Sequence, residues 1–275
     1  MKFKSIYIFF SVTLFFLLSI LILLPRLFPV SGTGSSIVDF WHFYWLLITL
    51  WFMLFSVVNL LYFLNRKLFS LIEMENWPAL IRYLENRIIQ KGRYSSRLVR
   101  LLANTYMELS DTAGVMNLEN ICGIVKPSVV DENVLIFGLA RILSRDISGA
   151  VRFYQSRREQ ANPQIRDWVY WYYAFSLVMA KEYILAGNEF KILARMSKNV
   201  FITALSSYFL DEVLSHVLPD LYTEYKDISH TSRLRVLKVL PNMESWKKEL
   251  LPYSGEVYIS AIEKYTDKTM KWLYG

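Results

Sequence analysis

The side chains able to do chemistry in this chain are few and far apart. Cys122 is the single cysteine, and the three histidines, His42, His216 and His230, fall in separate parts of the sequence. One thiol excludes an internal disulfide framework and any metal site built on several cysteines. There is no G-x-x-x-x-G-K-[ST] loop to cradle phosphate, no H-E-x-x-H pair for zinc, no G-x-S-x-G elbow and no C-x-x-C. The expectation is a protein that is not an enzyme and uses no catalytic residue, metal or cofactor. Cys122 reads as a packed core residue, and each histidine as structural or surface.

The elements that would position any function are helical. Phe40 to Leu64 has no ionised side chain across 25 residues, between Asp39 and the pair Arg66 and Lys67. At about 1.5 Å per residue such a helix more than covers the roughly 30 Å of bilayer hydrocarbon. Ser5 to Leu24 is a second uncharged run, of 20 residues, longer than the roughly 7 to 15 residues of a signal-peptide core, so it reads as a retained anchor. Pro25, Pro29, Gly32 and Gly34 are expected to break the first helix and make the turn, with Ser31 and Thr33 between them. The expected hairpin, residues 1–64, thus has spans at 5–24 and 40–64. Lys2 and Lys4 at one end and Arg66 and Lys67 at the other outweigh Arg26 in the loop, which places both termini in the cytoplasm. Trp41, Tyr44, Trp45 and Tyr62 fit interfacial belts or ordinary lipid-facing bulk. Asn59 and Ser11 come to similar depth in an antiparallel hairpin and suit an interhelical hydrogen bond of about 0.6 to 2 kcal/mol.

Charge narrows the partners. Removing Lys2, Lys4, Arg26 and Asp39 from totals of 31 basic and 24 acidic residues leaves 28 and 23 beyond residue 64. This mild surplus suits anionic lipid heads better than nucleic acid, which is not expected as a partner.

Beyond Arg66, Leu68, Leu71 and Ile72 continue an apolar stripe, so the second span is expected to run on into an amphipathic helix. Asn76 then caps a helix over Trp77 to Gln90. Small or slim residues recur at Ala79, Val115, Ala150 and Ala186, with spacings of 36, 35 and 36. Four positions later stand Tyr83, Glu119, Tyr154 and Phe190. In the intervening helices the pairs Leu102-Ala103, Phe137-Gly138 and Tyr173-Ala174 repeat at 35 and 36. A small side chain lets a neighbouring helix approach, and the bulky one fills the gap a turn on.

On these residues the stretch from about 66 to 200 resembles the tetratricopeptide repeat family, whose units are helix-turn-helix pairs of about 34 residues. Ala174, Tyr183, Ala186 and Phe190 carry the best match. Leu102, Ala103, Tyr106 and Pro127 match a second unit, and Gly138, Ala150 and Tyr154 a third. Glu119 departs from the aromatic rule at its place. The resemblance implies an α-solenoid over 65–200 whose leading helices line a concave, partner-binding groove. Transferred to this chain, the groove positions are Arg97, Arg100 and Asn104, then Leu135, Leu139 and Ile142, then Trp168, Trp171 and Phe175. Arg100 and Asn104 resemble two members of a carboxylate clamp, whereas Ile136, Trp168 and Tyr172 stand at its other places.

Trp168 to Ala180 is apolar on nearly every face and must be covered, either by neighbouring repeats or by a partner that Trp168, Trp171 and Phe175 would anchor. Residues 201–275 read as a cap and tail, with a helix over Phe201 to Val217 and amphipathic pieces over Ser232 to Leu240 and Glu256 to Leu273. The fold expected is all-α, two transmembrane helices followed by a helical solenoid. The function expected is a membrane-anchored protein-protein interaction scaffold or assembly factor at the cytoplasmic face of a bacterial inner membrane. The alternative is a non-catalytic subunit of a membrane transport or secretion complex. Partners would be protein, with lipid around the two spans.

Overall fold

The computed structural model describes residues 3–27 and 36–275, with side chains at 7–20, 45–46 and 48–275. All regular structure among the described residues is helical. The chain divides into two compact units, Met1–Tyr83 and Leu84–Gly275. The expected turn at Pro29, Ser31, Gly32, Thr33 and Gly34 lies outside the described residues, as do the side chains of Trp41, His42 and Tyr44.

In the first unit, α1 covers Phe3–Leu27 and α2 covers Ser36–Glu73. Contrary to expectation, α1 runs through Pro25. Proline lacks the N–H that would bond the Leu21 carbonyl, so the last turn of α1 forgoes a single helical hydrogen bond. Helix α2 is 38 residues long and passes from the apolar run past Arg66 without a break. Its part Ile48–Glu73 is long and apolar enough to cross a membrane. The described apolar part of α1, Tyr7–Ile20, is shorter than that.

The two helices pack together, but Asn59 does not meet the residue expected. Asn59 Oδ1 accepts from the Tyr7 hydroxyl, while Asn59 Nδ2 donates to the Phe55 carbonyl at 2.8 Å. Ser11 Oγ is buried without a partner. The Tyr7 phenol reaches farther than a serine hydroxyl, and its ring stacks on Tyr62 with centroids 3.6 Å apart. Elsewhere Thr13, Ser19, Thr49 and Ser56 each donate to the carbonyl four residues back, which satisfies the hydroxyl within its own helix.

The turns that join successive helices from Glu75 onward repeat. Four non-glycine residues have positive φ: Glu75 at 51°, Ser110 at 57°, Arg145 at 66° and Lys181 at 64°. They are spaced by 35, 35 and 36 residues. Each ends one helix two residues before the next begins. At Ser110 the backbone closes with Ser110 N to Met107 O and Asp111 N to Tyr106 O, and the same pair of bonds recurs at Arg145 and Lys181. This is the Schellman closure, which needs a left-handed residue at its centre. Asn76, Asp111 and Asp146 then cap the following helices by accepting from Ala79 N, Gly114 N and Gly149 N.

These turns join α4 (Ser96–Glu108) to α5 (Thr112–Val125), α7 (Val134–Leu143) to α8 (Ile147–Arg157), and α9 (Arg166–Met179) to α10 (Tyr183–Met196). Glu75 precedes α3 (Trp77–Glu85), which continues as a π turn over Asn86–Gln90, and a short α6 (Pro127–Glu132) leads into α7. Helices α4, α7, α9 and α11 (Val200–Tyr208) pack in a row, each against the next. The small positions Ala103, Ala150, Ala174 and Ala186 are fully buried in these crossings.

The stretch Phe201 to Val217 is helical throughout, as α11, a π turn over Phe209–Leu214 and α12 (Ser215–Val217), and beyond it the chain departs from the expected pieces. Then come α13 (Tyr222–Val239), which is longer than Ser232 to Leu240, and α14 (Met243–Leu250). The stretch Glu256 to Leu273 is two helices, α15 (Val257–Ser260) and α16 (Glu263–Tyr274). Ala261 and Ile262 bend the chain between them, turning Ile262 into the core and leaving Ala261 outside.

Candidate functional site

The nine positions expected to line one groove fall into two environments. Leu135, Leu139 and Ile142 on α7 and Trp168, Trp171 and Phe175 on α9 are all buried, Trp171 completely. Arg97 and Arg100 on α4 are exposed and Asn104 is half-buried.

What covers α9 is the chain's own tail. The Trp168 ring lies against Tyr253 and Tyr258, with centroids 5.7 and 5.5 Å away. The Tyr172 hydroxyl donates to the Tyr258 carbonyl. Phe175 meets Tyr265 at 5.5 Å, and Trp171 packs on Phe175, Phe190 and Phe209. Helix α15 also touches α7. The aromatic and aliphatic places are therefore interior, and the expectation that they offer a surface to a partner is corrected. A helix apolar all round needs cover, and residues 251–274 supply it within the same chain. Their signal in the sequence was Tyr253, Tyr258, Tyr265 and Trp272 among polar neighbours, too sparse to stand out as an apolar face. Trp272 anchors the end by donating to Asp211 Oδ2 at 2.7 Å, and Leu273 by accepting from Arg233 at 2.8 Å.

The open end is built around Asn133, a residue that sequence reasoning missed. Between α6 and α7 this buried amide donates from Nδ2 to Val129 O at 2.8 Å and Ser96 Oγ at 3.0 Å. Its Oδ1 accepts from Arg100 Nε at 3.2 Å. Arg100 also donates to the Glu132 carbonyl. Two donors of the guanidinium, Nε and Nη2, are thus engaged while the group stays solvent-facing. Arg97, one turn earlier, has no ion-pair partner among the described residues. Ser95 caps α4 through Leu98 N. A shallow cavity is lined by Ser95, Ser96, Arg97, Arg100, Asn104 and Glu132. Positive charge, hydroxyls and a helix start make this surface suited to an acidic or carboxylate-bearing partner. Arg100 and Asn104 line one cavity with Glu256, Val257 and Tyr258 of the tail, which therefore comes up to the edge of the open end.

Glu119, which breaks the aromatic rule, is explained by its partner. It is buried and paired with Arg141, whose guanidinium lies 4.4 Å over the Phe153 ring. The aromatic surface expected on α5 is supplied by α8, with an ion pair between. Cys122 is fully buried on α5, and burial, with Glu119 adding to it, pushes its thiol pKa up to about 11. The thiolate that a nucleophile requires is thereby disfavoured. His216 and His230 are both exposed, on α12 and α13.

No solved structure matches this chain. An uncharacterised protein of Treponema pallidum (strain Nichols) is 28% identical over 190 residues, 69% of this chain and 59% of that protein. The chain therefore spans less than two thirds of the length of that relative. A family profile described as "Uncharacterised Treponema protein" matches residues 114–275. The match takes in α7, α9 and the tail that covers them. With more than half of its length matched, the chain belongs to this Treponema family.

Proposed function

We propose that this protein is a membrane-anchored interaction scaffold in which α1 and α2 hold the chain in the bilayer and the open end of α4 recruits a protein partner. Its helical repeats are read as a solenoid related in design to tetratricopeptide arrays, with both termini in the cytoplasm and the inner membrane as its site. The anchor is supported by the outward side chains of the first unit. Phe9, Phe16, Leu46, Leu50, Phe63 and Leu64 are each more than half exposed, an apolar surface far beyond what a protein tolerates in water.

The observation that carries the recruiting role is the contrast along the groove positions. Six are buried, Trp168 and Phe175 of them against the tail, and Arg97, Arg100 and Asn104 remain in contact with solvent around a fixed guanidinium. Recognition by this surface would be polar and sensitive to salt, since it depends on exposed cations.

In-membrane photocrosslinking from position 97, compared with position 171, tests the reading. Position 97 should capture a discrete protein, and position 171 should give only crosslinks within the chain. If a discrete partner is captured from lipid-facing positions such as 52 or 63 and none from 97, the scaffold reading fails and a subunit of a larger membrane complex takes its place.

A further inference from the structure

We propose that α2, where it leaves its apolar run, binds the phosphate headgroup of an anionic phospholipid through Arg66, Lys67 and Ser70. The proposal rests on reading α2 as a membrane span. The uncharged run from Phe40 to Leu64 has 25 residues, about 37 Å of helix against roughly 30 Å of hydrocarbon. Arg66 and Lys67 follow at once and so stand at the level of the lipid phosphates.

The local geometry is specific. Tyr62, Arg66, Phe69, Ser70 and Glu73 are spaced to share one face of α2, and with Lys67 they line a cavity of about 490 Å³. Its floor at the bilayer end is aromatic. Tyr62 stacks on Tyr7 and lies 6.0 Å from Phe69, the arrangement that suits rings to the hydrocarbon boundary.

The Arg66 guanidinium lies 5.7 Å over the Phe63 ring, three residues back along α2, which carries its charge toward the bilayer. Lys67 Nζ lies 5.6 Å from the Tyr83 ring. Both side chains are exposed, and neither is in an ion pair among the described residues. Two cations held by ring faces keep their N–H groups available, and a phosphate diester offers the acceptors that a guanidinium fork and an ammonium group fit. Glu73 lines the far end, seven residues or about 10 Å beyond Arg66.

The test uses the full chain in nanodiscs of phosphatidylcholine with a minor share of phosphatidylglycerol, followed by native mass spectrometry of the retained lipids. Wild type should retain phosphatidylglycerol roughly tenfold over its bulk share, in keeping with two cations near the surface. The double variant Arg66→Gln, Lys67→Gln should fall to the bulk ratio. Lys247→Gln with Lys248→Gln removes the same charge from α14 and should leave the enrichment in place. Equal enrichment in the Arg66, Lys67 double variant overturns the site. Displacement of the lipid by millimolar inorganic phosphate overturns the lipid as its ligand. Alkaline carbonate separates the two layers of the argument. Wild type that washes off membranes overturns the span and the site together, whereas wild type that stays in the membrane without enrichment overturns the headgroup site alone.

Discussion

The α4 end and the α9 end of the same row of helices occupy equivalent repeat positions and have opposite fates. At the α9 end Trp168, Trp171 and Phe175 face what would be a binding surface, and the tail lies on it. At the α4 end Arg97 and Arg100 face the same way, and the tail stops at Tyr258. The difference follows from composition. A ring in water costs free energy that any apolar cover recovers, so Trp168 and Phe175 recruit Tyr253, Tyr258 and Tyr265. Cations lose hydration under an apolar cover and gain nothing from it, so the α4 end stays open. A repeat position thus fixes where a side chain points, and its chemistry decides whether the chain itself or another molecule meets it.

The largest effect should separate the two ends. Trp171→Ala removes a fully buried indole from among Phe175, Phe190 and Phe209. It should cost about 3 to 5 kcal/mol in urea unfolding of the full chain in detergent, as large-to-small aromatic substitutions in cores do. Arg97→Ala, at the open end in the place equivalent to Trp168, should change stability by less than about 0.5 kcal/mol. Similar losses at both positions would mean that the open end is buried as well.

The helical class, the cap at Asn76 and the 35 to 36 residue period were legible because each rests on neighbours in sequence: an apolar stripe, a side-chain cap, a small residue at a crossing. The recurring left-handed turns were not read, since Glu75, Ser110, Arg145 and Lys181 are not the glycine that such a place favours. The cover on α9 was illegible for a different reason. Tyr172 meets Tyr258 across 86 residues, and no local pattern specifies a contact of that range. Asn133 escaped notice because a single amide makes its bonds to α4 and α6 only once those helices are in place. The register of the hairpin turned on the reach of one side chain, Tyr7 in place of Ser11.

An intermediate effect tests whether the open end is loose behind its surface. Cys122, on α5 behind α4, is raised from an ordinary 9.0 to about 11. The folded state therefore favours the neutral thiol. Its contribution is complete below pH 9.0 and is lost as pH climbs toward 11. Two pH units of displacement correspond to a loss on the order of 2 kcal/mol. Cys122→Ala should be less stable than wild type at pH 8, and the gap should narrow by about that amount at pH 11. A gap that does not change with pH would show that the thiol ionises freely, and that α5 is open to solvent behind α4.

The smallest effect asks whether covering strains the repeat it covers. Ser110 and Lys181 close equivalent turns at φ 57° and 64°, one beside the open end and the other beside the covered end. Both side chains are exposed. A left-handed non-glycine residue costs about 1 kcal/mol or slightly more, and glycine removes that while giving back part of it as freedom in the unfolded chain. Ser110→Gly and Lys181→Gly should each stabilise by about 0.5 kcal/mol, with alanine at either position giving no gain. Equal gains mean that the two turns are the same device and that the tail lies on α9 without distorting it. A larger gain at Lys181 would mean that part of the tail's binding is spent on bending the last repeat, and the difference between the two gains would measure how much.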